Sequence, residues 1–331
     1  MIVVTGGAGF IGSNILAALE ERGLRGLVVC DRLRSNDKWR NVAKRELSDI
    51  VAPEHLFDFL NSRMSSRGDI EAIFHMGAVS ATTETNADHI FTNNFALTLA
   101  LWKWCANHNV RFIYASSAAT YGDGEAGFDD AFGIEELSRL QPMNAYGWSK
   151  HLFDRRVARK IADGKHTPPQ WVGLKFFNVY GPNEYHKGGQ QSVVSQVYDH
   201  AAANSPFHLF RSHNPNYKDG EQLRDFIWIG DCVDVMMWLY DNPQVSGLFN
   251  LGTGQARSFY DLAATVYRAL GKEPHIKFKD TPPQIRDKYQ YFTQATMDRL
   301  RAAGYTKPFT PLEAGVTSYV LDYLHTSDRY R

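Results

Sequence analysis

Cysteine is scarce in this chain. Among 331 residues there are three, Cys30, Cys105 and Cys232, scattered and odd in number. That arrangement gives neither a metal-ligand spacing nor a disulfide framework. It predicts three buried thiols acting as small hydrophobes, as in a reducing cytoplasm. An excess of either charge is also missing: 36 Lys and Arg stand against 36 Asp and Glu. Nucleic acid as main partner would ordinarily show as a basic surplus, so it is not expected, although a local basic site for a small phosphate stays open. No apolar run approaches the roughly 18 residues of a membrane span. The opening stretch "MIVVTGGAGFIG" lacks the charged start, longer apolar core and cleavage site of a signal peptide. The expectation is a cytoplasmic protein with no membrane partner. Internal repeats and low-complexity tracts are absent too. What remains is ordinary globular composition, 44% hydrophobic and 22% charged, at a length that suggests two lobes.

The first half alternates strand-like and helix-like segments. Strands are expected at Ile2–Thr5, 27–31, 72–78, Arg111–Ser117 and 171–181, and helices at 13–21, 93–109 and about 144–162. In the first helix Ile15, Leu16 and Leu19 share one face. Such alternation implies a parallel sheet with helices on both sides. The second half is less regular. Segments 211–222 and 281–290 read as polar loops, and 224–240 as a strand and helix that rejoin the first lobe.

In "TGGAGFIG", Gly7, Gly9 and Gly12 fit G-x-G-x-x-G, and Gly6, Gly9 and Gly12 fit G-x-x-G-x-x-G. Glycine permits a tight turn and lets a pyrophosphate approach the backbone, and the helix that follows offers free N–H groups. The motif alone says little. A strand before it, a helix after it and Asp31 closing the next strand make it a dinucleotide site. Asp31 suits the ribose hydroxyl of NAD. Arg32 and Lys38 suit the extra phosphate of NADP. The residues by themselves leave that choice open.

"NAYGWSK" contains Tyr146-x-x-x-Lys150, one helical turn apart on one face. That face continues with Phe153, Val157 and Ile161, so Lys150 falls on an apolar stripe and needs a partner. An ammonium beside a phenol lowers the phenol's pKa, so Tyr146 is expected to accept a proton near neutral pH. Ser117, at the end of "RFIYASS", is placed to hold a substrate oxygen.

The opening turn, Y-x-x-x-K, "FFNVYGP", "RDFIWIGD" and "NLGTG" together resemble the extended short-chain dehydrogenase/reductases that act on nucleotide sugars. The resemblance implies a Rossmann-like doubly wound parallel sheet with a smaller, mixed α/β substrate-binding domain. The expected division is 1–170, rejoined by about 171–181 and 224–249, for the dinucleotide-binding domain. Segments 182–223 and 250–331 form the other. In the dehydratases of this group an acidic pair follows the catalytic serine or threonine. "SSAATYG" has none, so dehydration is not expected.

"HMGAVSATTET", "NVYGPNEYHKG" and "KYQYFTQATMDRLRAAGY" are similar to the ADP-glyceromanno-heptose 6-epimerase family, from residue 1 to beyond 305. That family inverts C6″ of an ADP-heptose used in the lipopolysaccharide inner core, by oxidation to a ketone and return of the hydride. The resemblance implies Tyr146 and Lys187 as the two acid/base groups, with Ser117 and Lys150 assisting. Lys187 would need burial or a neighbouring cation to be partly neutral. It further implies cofactor contacts from Gly6, Gly9, Phe10, Ile11, Gly12, Asp31, Arg32, Lys38, Met76, Gly77, Ala78, Val79, Ser80, Asn93, Lys150, Val179 and Lys187. Substrate contacts would come from Asn178, Gly189, Gln196, Phe210, Arg211, Arg224 and Tyr289, with Arg224 as diphosphate clamp. NADP is the cofactor it favours, with NAD the other choice, and a homo-oligomer, a pentamer in the family, is expected. No metal is expected.

This chain departs from the family pattern at Gly189, where a serine is frequent, at Gln196, where a histidine is usual, at Pro53, where a lysine stands, and in a longer 211–222 segment. Two other functions stay in view. A UDP-hexose 4-epimerase shares the glycine turn and tyrosine helix but lacks a second base at the H-K-G position. A silent cofactor-sensing scaffold has no need of the intact Ser117, Tyr146 and Lys150 set.

Overall fold

The computed structural model describes residues 1–66, 70–286 and 290–331. Six of the first-lobe strands are short apolar runs: β1 (Ile2–Thr5), β2 (Leu27–Cys30), β3 (Asp49–Val51), β4 (Ala72–His75), β5 (Arg111–Ser117) and β6 (Trp171–Phe176). With β10 (Gly247–Leu251) they form a seven-stranded sheet of order β10-β6-β5-β4-β1-β2-β3, parallel throughout. Strands β1, β2, β4, β6 and β10 are buried along their whole length. Such continuous apolar runs belong to a sheet covered on both faces. One face packs Ile15, Leu16 and Leu19 of α1 (Phe10–Glu21), and the other packs Leu101, Trp102 and Cys105 from a later helix. The strand order reverses between β1 and β4. In open parallel sheets a ligand crevice lies outside the carboxyl ends of the strands at that switch point.

Seven further helices of seven or more residues are α2 (Leu56–Ser66), α3 (Leu97–His108), α4 (Ala145–Ala162), α5 (Val193–Ala202), α6 (Ile229–Asp241), α7 (Phe259–Ala269) and α8 (Leu312–Ser318). The Asn144 side chain caps α4 by accepting from the Gly147 N–H at 2.8 Å. A smaller sheet of order β11-β9-β7 joins β7 (Asn178–Tyr180), β9 (Leu223–Trp228) and β11 (Ala256–Ser258). A two-stranded parallel pair joins β8 (Phe207–Phe210) to β12 (Ile276–Lys279). Helices α5, α7 and α8 pack a separate core around Val197, Leu262, Val266 and Val316.

Four readings from sequence change. The single strand expected over 171–181 is two strands in different sheets. The chain turns at Phe177, whose N–H bonds Leu251 while its carbonyl accepts from Val179. The strand expected at the start of 224–240 lies in the small sheet, and α6 alone returns to the large unit, against α1. The tail is shared as well: Ala295, Met297, Leu300 and Tyr305 pack into the core formed with α1 and α6. The helix expected at 93–109 contains a wide turn at Phe91–Ala96 before α3.

Candidate functional site

The glycine turn is built as closely as its sequence suggests. Gly6 has φ +63°, and a Cβ there would lie 2.6 Å from the Gly77 nitrogen. A Cβ on Gly12 would lie 2.3 Å from the Gly6 carbonyl. Both contacts are with backbone, so neither position accepts a side chain. Gly9 caps α1 with no side chain of its own, which leaves the first N–H groups of the helix for an anion. Beside the turn, a hollow of 130 Å³ is lined by Asp31, Arg32, Lys38, Gly77, Val79 and Asn93, among others. An uncapped helix end, two side-chain-free glycines and an adjoining polar hollow fit a dinucleotide.

Asp31 is fully engaged. One oxygen accepts from the Ala8 N–H at 3.0 Å, the other from the Arg32 N–H at 2.7 Å and the Lys38 ammonium at 2.6 Å. Arg32 itself pairs with Glu54 at 3.1 Å. Pro53 lines the same hollow, and so do Arg34, His89 and Leu97, which sequence reasoning missed. Met76, Gly77, Ala78, Val79 and Ser80 follow β4, directly opposite the turn; Ser80 is exposed and outside the hollow. Asn94, also missed, holds that segment. Its amide bonds both the N–H and the carbonyl of Val79, at 2.8 and 2.9 Å, and the Ser149 hydroxyl at 3.0 Å. The wide turn at Phe91–Ala96 therefore ties the cofactor segment to α4. Nothing in the sequence period announces such a turn.

His75 is fully buried between two threonines. Its Nε2 lies 2.8 Å from Thr98 Oγ1, which donates to the Asn94 carbonyl, so Nε2 carries the proton. Nδ1 then accepts from Thr5 Oγ1 at 2.6 Å, and Thr5 in turn accepts from the Gly77 N–H. Burial holds this imidazole neutral, with its pKa pushed down to about 3.

Ser117 at the end of β5 and Tyr146 at the start of α4 are brought together closely enough for Ser117 to act on the phenol. The expected pKa of Tyr146 needs correction. Burial raises it, and Ser117 only offsets part of that rise. Lys150 does not lower it: the ammonium donates to the Ala115 carbonyl at 2.7 Å, and burial brings Lys150 itself down to about 8. Tyr146 is thus a neutral phenol here. Beneath it lies a buried pair that sequence did not single out. Lys175 and Asp154 are 3.9 Å apart, both with no exposed side-chain surface. Asp154 accepts from Ser116 at 2.6 Å, Lys175 donates to Thr120 at 2.8 Å, and the Tyr121 ring lies 4.2 Å from the Lys175 ammonium.

Lys187 stands on a short turn, Tyr185–Gln190, with its ammonium 4.9 Å from the Phe10 ring centroid at the start of α1. Asn41 fastens this segment to the glycine turn: its amide donates to the Ala8 and Asn183 carbonyls, both at 2.9 Å. The neighbour of Lys187 differs from expectation. It is the Glu184 carboxylate at 3.5 Å, itself buried and bonded by Ser192 and Tyr319.

A cavity of 740 Å³ gathers Gly189, Gln196, Phe210 and Arg224. Arg224 is buried, donates to the Leu223 and Gln290 carbonyls and lies over the Phe259 ring. Lys279, missed from sequence, shares this cavity. It is the strand partner of Phe210, and its ammonium lies 5.3 Å from that ring. Arg211 is outside the lining and pairs with Asp219 and Asp280. Asn178 and Val179 lie on β7, and Ile11 in the first turn of α1. Tyr289 is outside the described residues. Among the described residues no cluster of three or more His, Cys, Asp or Glu side chains is arranged for a metal ion. No described helix is long and apolar enough to cross a membrane.

A parallel sheet with its switch point at a glycine turn, and a Ser–Tyr pair beside it, define a nucleotide-dependent epimerase or dehydratase. The chain belongs to the NAD dependent epimerase/dehydratase family, whose sequence model matches residues 2–252. Within it, the chain is 47% identical to the ADP-L-glycero-D-manno-heptose-6-epimerase of Fusobacterium nucleatum, over all of both chains. It is 48% identical to that of Nitratidesulfovibrio vulgaris DP4, again over all of both. Among solved structures it resembles the Helicobacter pylori ADP-L-glycero-D-manno-heptose-6-epimerase, at 29% identity and TM-score 0.76, covering 96% of this chain and 94% of that one. It also resembles a Thermus thermophilus UDP-glucose 4-epimerase complexed with NAD, at 25% identity and TM-score 0.73, covering 96% and 97%.

Proposed function

We propose that this protein converts ADP-D-glycero-D-manno-heptose to its L-glycero epimer at C6″, a step toward the lipopolysaccharide inner core. The observation that carries the reading is the position of a second amine at the glycine turn. Lys187 sits against Phe10 at the glycine turn, on a separate segment from the Ser117–Tyr146 pair. A second group on the opposite side serves the inversion, because the ketone is reduced on the face opposite the one that was oxidised. The 47–48% identity to heptose epimerases along the whole chain supports the substrate.

A bound nicotinamide dinucleotide supplies a hydride acceptor that later returns the hydride, so no net oxidation occurs. The chain's own residues do the rest. The glycine turn and the end of α1 bind the pyrophosphate. Ser117 and Tyr146 hold the reacting oxygen, and Lys150 stands one turn further along α4. Tyr146, held as the neutral phenol, gives its proton to the ketone oxygen as the hydride returns to the opposite face of C6″, and Lys187, as the free amine, takes the C6″ hydroxyl proton. Arg224, Phe210, Gln196 and Gly189 receive the nucleotide, with Arg224 on its diphosphate. The preferred cofactor is NADP: the Lys38 ion pair offsets the charge by which Asp31 would repel a 2′-phosphate. The functional unit is a homo-oligomer.

The test is incubation of the purified protein with ADP-D-glycero-D-manno-heptose and assignment of product stereochemistry by NMR. Inversion at C6″ is expected. Turnover of a UDP-hexose instead, with the heptose untouched, overturns the reading.

A further inference from the structure

Several hollows lie away from the glycine turn and the nucleotide cavity, and their charges distinguish them. One, of 840 Å³, lies between α1, α6 and residues 304–311. Its cations are matched from within: Arg22 by Asp241 at 2.6 Å, Arg331 by Glu21 at 2.9 Å and Lys307 by Asp234. It calls for no charged ligand.

A smaller hollow of 390 Å³ lies between the carboxyl-terminal halves of α3 and α4. Lys103 of α3, Arg156, Arg159 and Lys160 of α4, and Lys165 beyond it all line the space, with Asp163 as the single acid. None of these five cations forms an ion pair among the described residues, although eighteen such pairs occur elsewhere in the fold. Cations in a final helical turn offset the helix dipole. That accounts for Arg159 and Lys160 on α4, not for five around one hollow. The crowding is felt: burial and then the neighbours Arg156, Lys103 and Lys165 lower the pKa of Lys160.

Trp102 closes the inner side of this hollow, fully buried against Phe112, Phe153 and Trp171.

We propose that the hollow between α3 and α4 binds a small, multiply charged phosphate compound, countered by Lys103, Arg156, Arg159 and Lys160. The volume is within the range of small-molecule sites. Its α4 cations are on the same helix as Tyr146 and Lys150, about 15–21 Å along the axis from Tyr146 and about 9–15 Å from Lys150 at 1.5 Å per residue. It does not depend on the proposed epimerase activity.

The test uses the full chain with saturating NADP and ADP, so that the diphosphate positions of the catalytic cleft are filled. Inorganic pyrophosphate is then titrated by calorimetry at low salt. A one-to-one event is expected that weakens as salt rises. Arg156→Gln with Lys160→Gln should weaken it at least about tenfold, with C6″ inversion and melting temperature unchanged. Lys103→Gln, on the other helix, should weaken it as well. No binding by the wild type, or equal binding by the double variant, overturns the proposal. A parallel flotation assay with phosphatidylglycerol vesicles separates the sources of phosphate. Binding to vesicles without binding of pyrophosphate also overturns it.

Discussion

The Lys38 ammonium lies 2.6 Å from the Asp31 carboxylate, and both side chains are largely buried. Asp31 is therefore half of an ion pair rather than a free anion. Lys38→Met should expose that charge to a 2′-phosphate. NADP affinity should fall by about tenfold or more while NAD affinity changes much less. Fluorescence titration with the two cofactors measures it, and an equal loss for both would show that Lys38 does not discriminate.

Tyr146→Phe and Lys187→Met should each lose about 10²–10⁴ in turnover while still binding cofactor. NMR of the heptose product and a cofactor titration on the same samples separate the two effects. Near-normal inversion by Lys187→Met would remove its role as second proton carrier.

The Lys175–Asp154 pair has no solvent to screen it. Removing one partner leaves a lone buried charge, so Lys175→Met should destabilise the fold by about 3–5 kcal/mol. Lys175→Met with Asp154→Asn should recover much of that loss. Denaturant unfolding of the single and double variants checks it, and additive losses would argue against a coupled pair.

His75 gives a pH dependence of definite sign. Its folded pKa is pushed down from 6.5 to about 3 by burial, so its neutral form is favoured in the fold. The stability it contributes is complete above about pH 6.5 and is lost as pH falls toward 3, up to about 5 kcal/mol. His75→Gln should flatten that acid limb in thermal melts. An unchanged limb in the variant would assign it to other groups.

The local geometry of the candidate site was legible in the sequence wherever neighbouring residues set it. Glycine spacing after an apolar strand specifies a phosphate turn, because only glycine tolerates the backbone contacts at Gly6 and Gly12. The 3.6-residue period put Tyr146 and Lys150 on one helical face, and Phe210, Gln196 and Arg224 meet in one cavity.

The electrostatics were not legible, because they depend on groups distant in sequence. Tyr146 was expected to be lowered by its helical neighbour Lys150; its burial raises it instead, and Lys150 turns to the Ala115 carbonyl. Lys187 was expected beside a cation or in an apolar setting, and it meets Glu184.

By itself the sequence determined the parallel sheet, the glycine turn and the shared helical face of Tyr146 and Lys150, since each follows from periodicity or from one residue's sterics. Only the tertiary structure decided how Phe177 splits a strand between two sheets, how Asn94 and Asn41 fasten the site, and which charges face one another. Those outcomes depend on desolvation and on hydrogen-bond partners from distant segments, which no local pattern encodes.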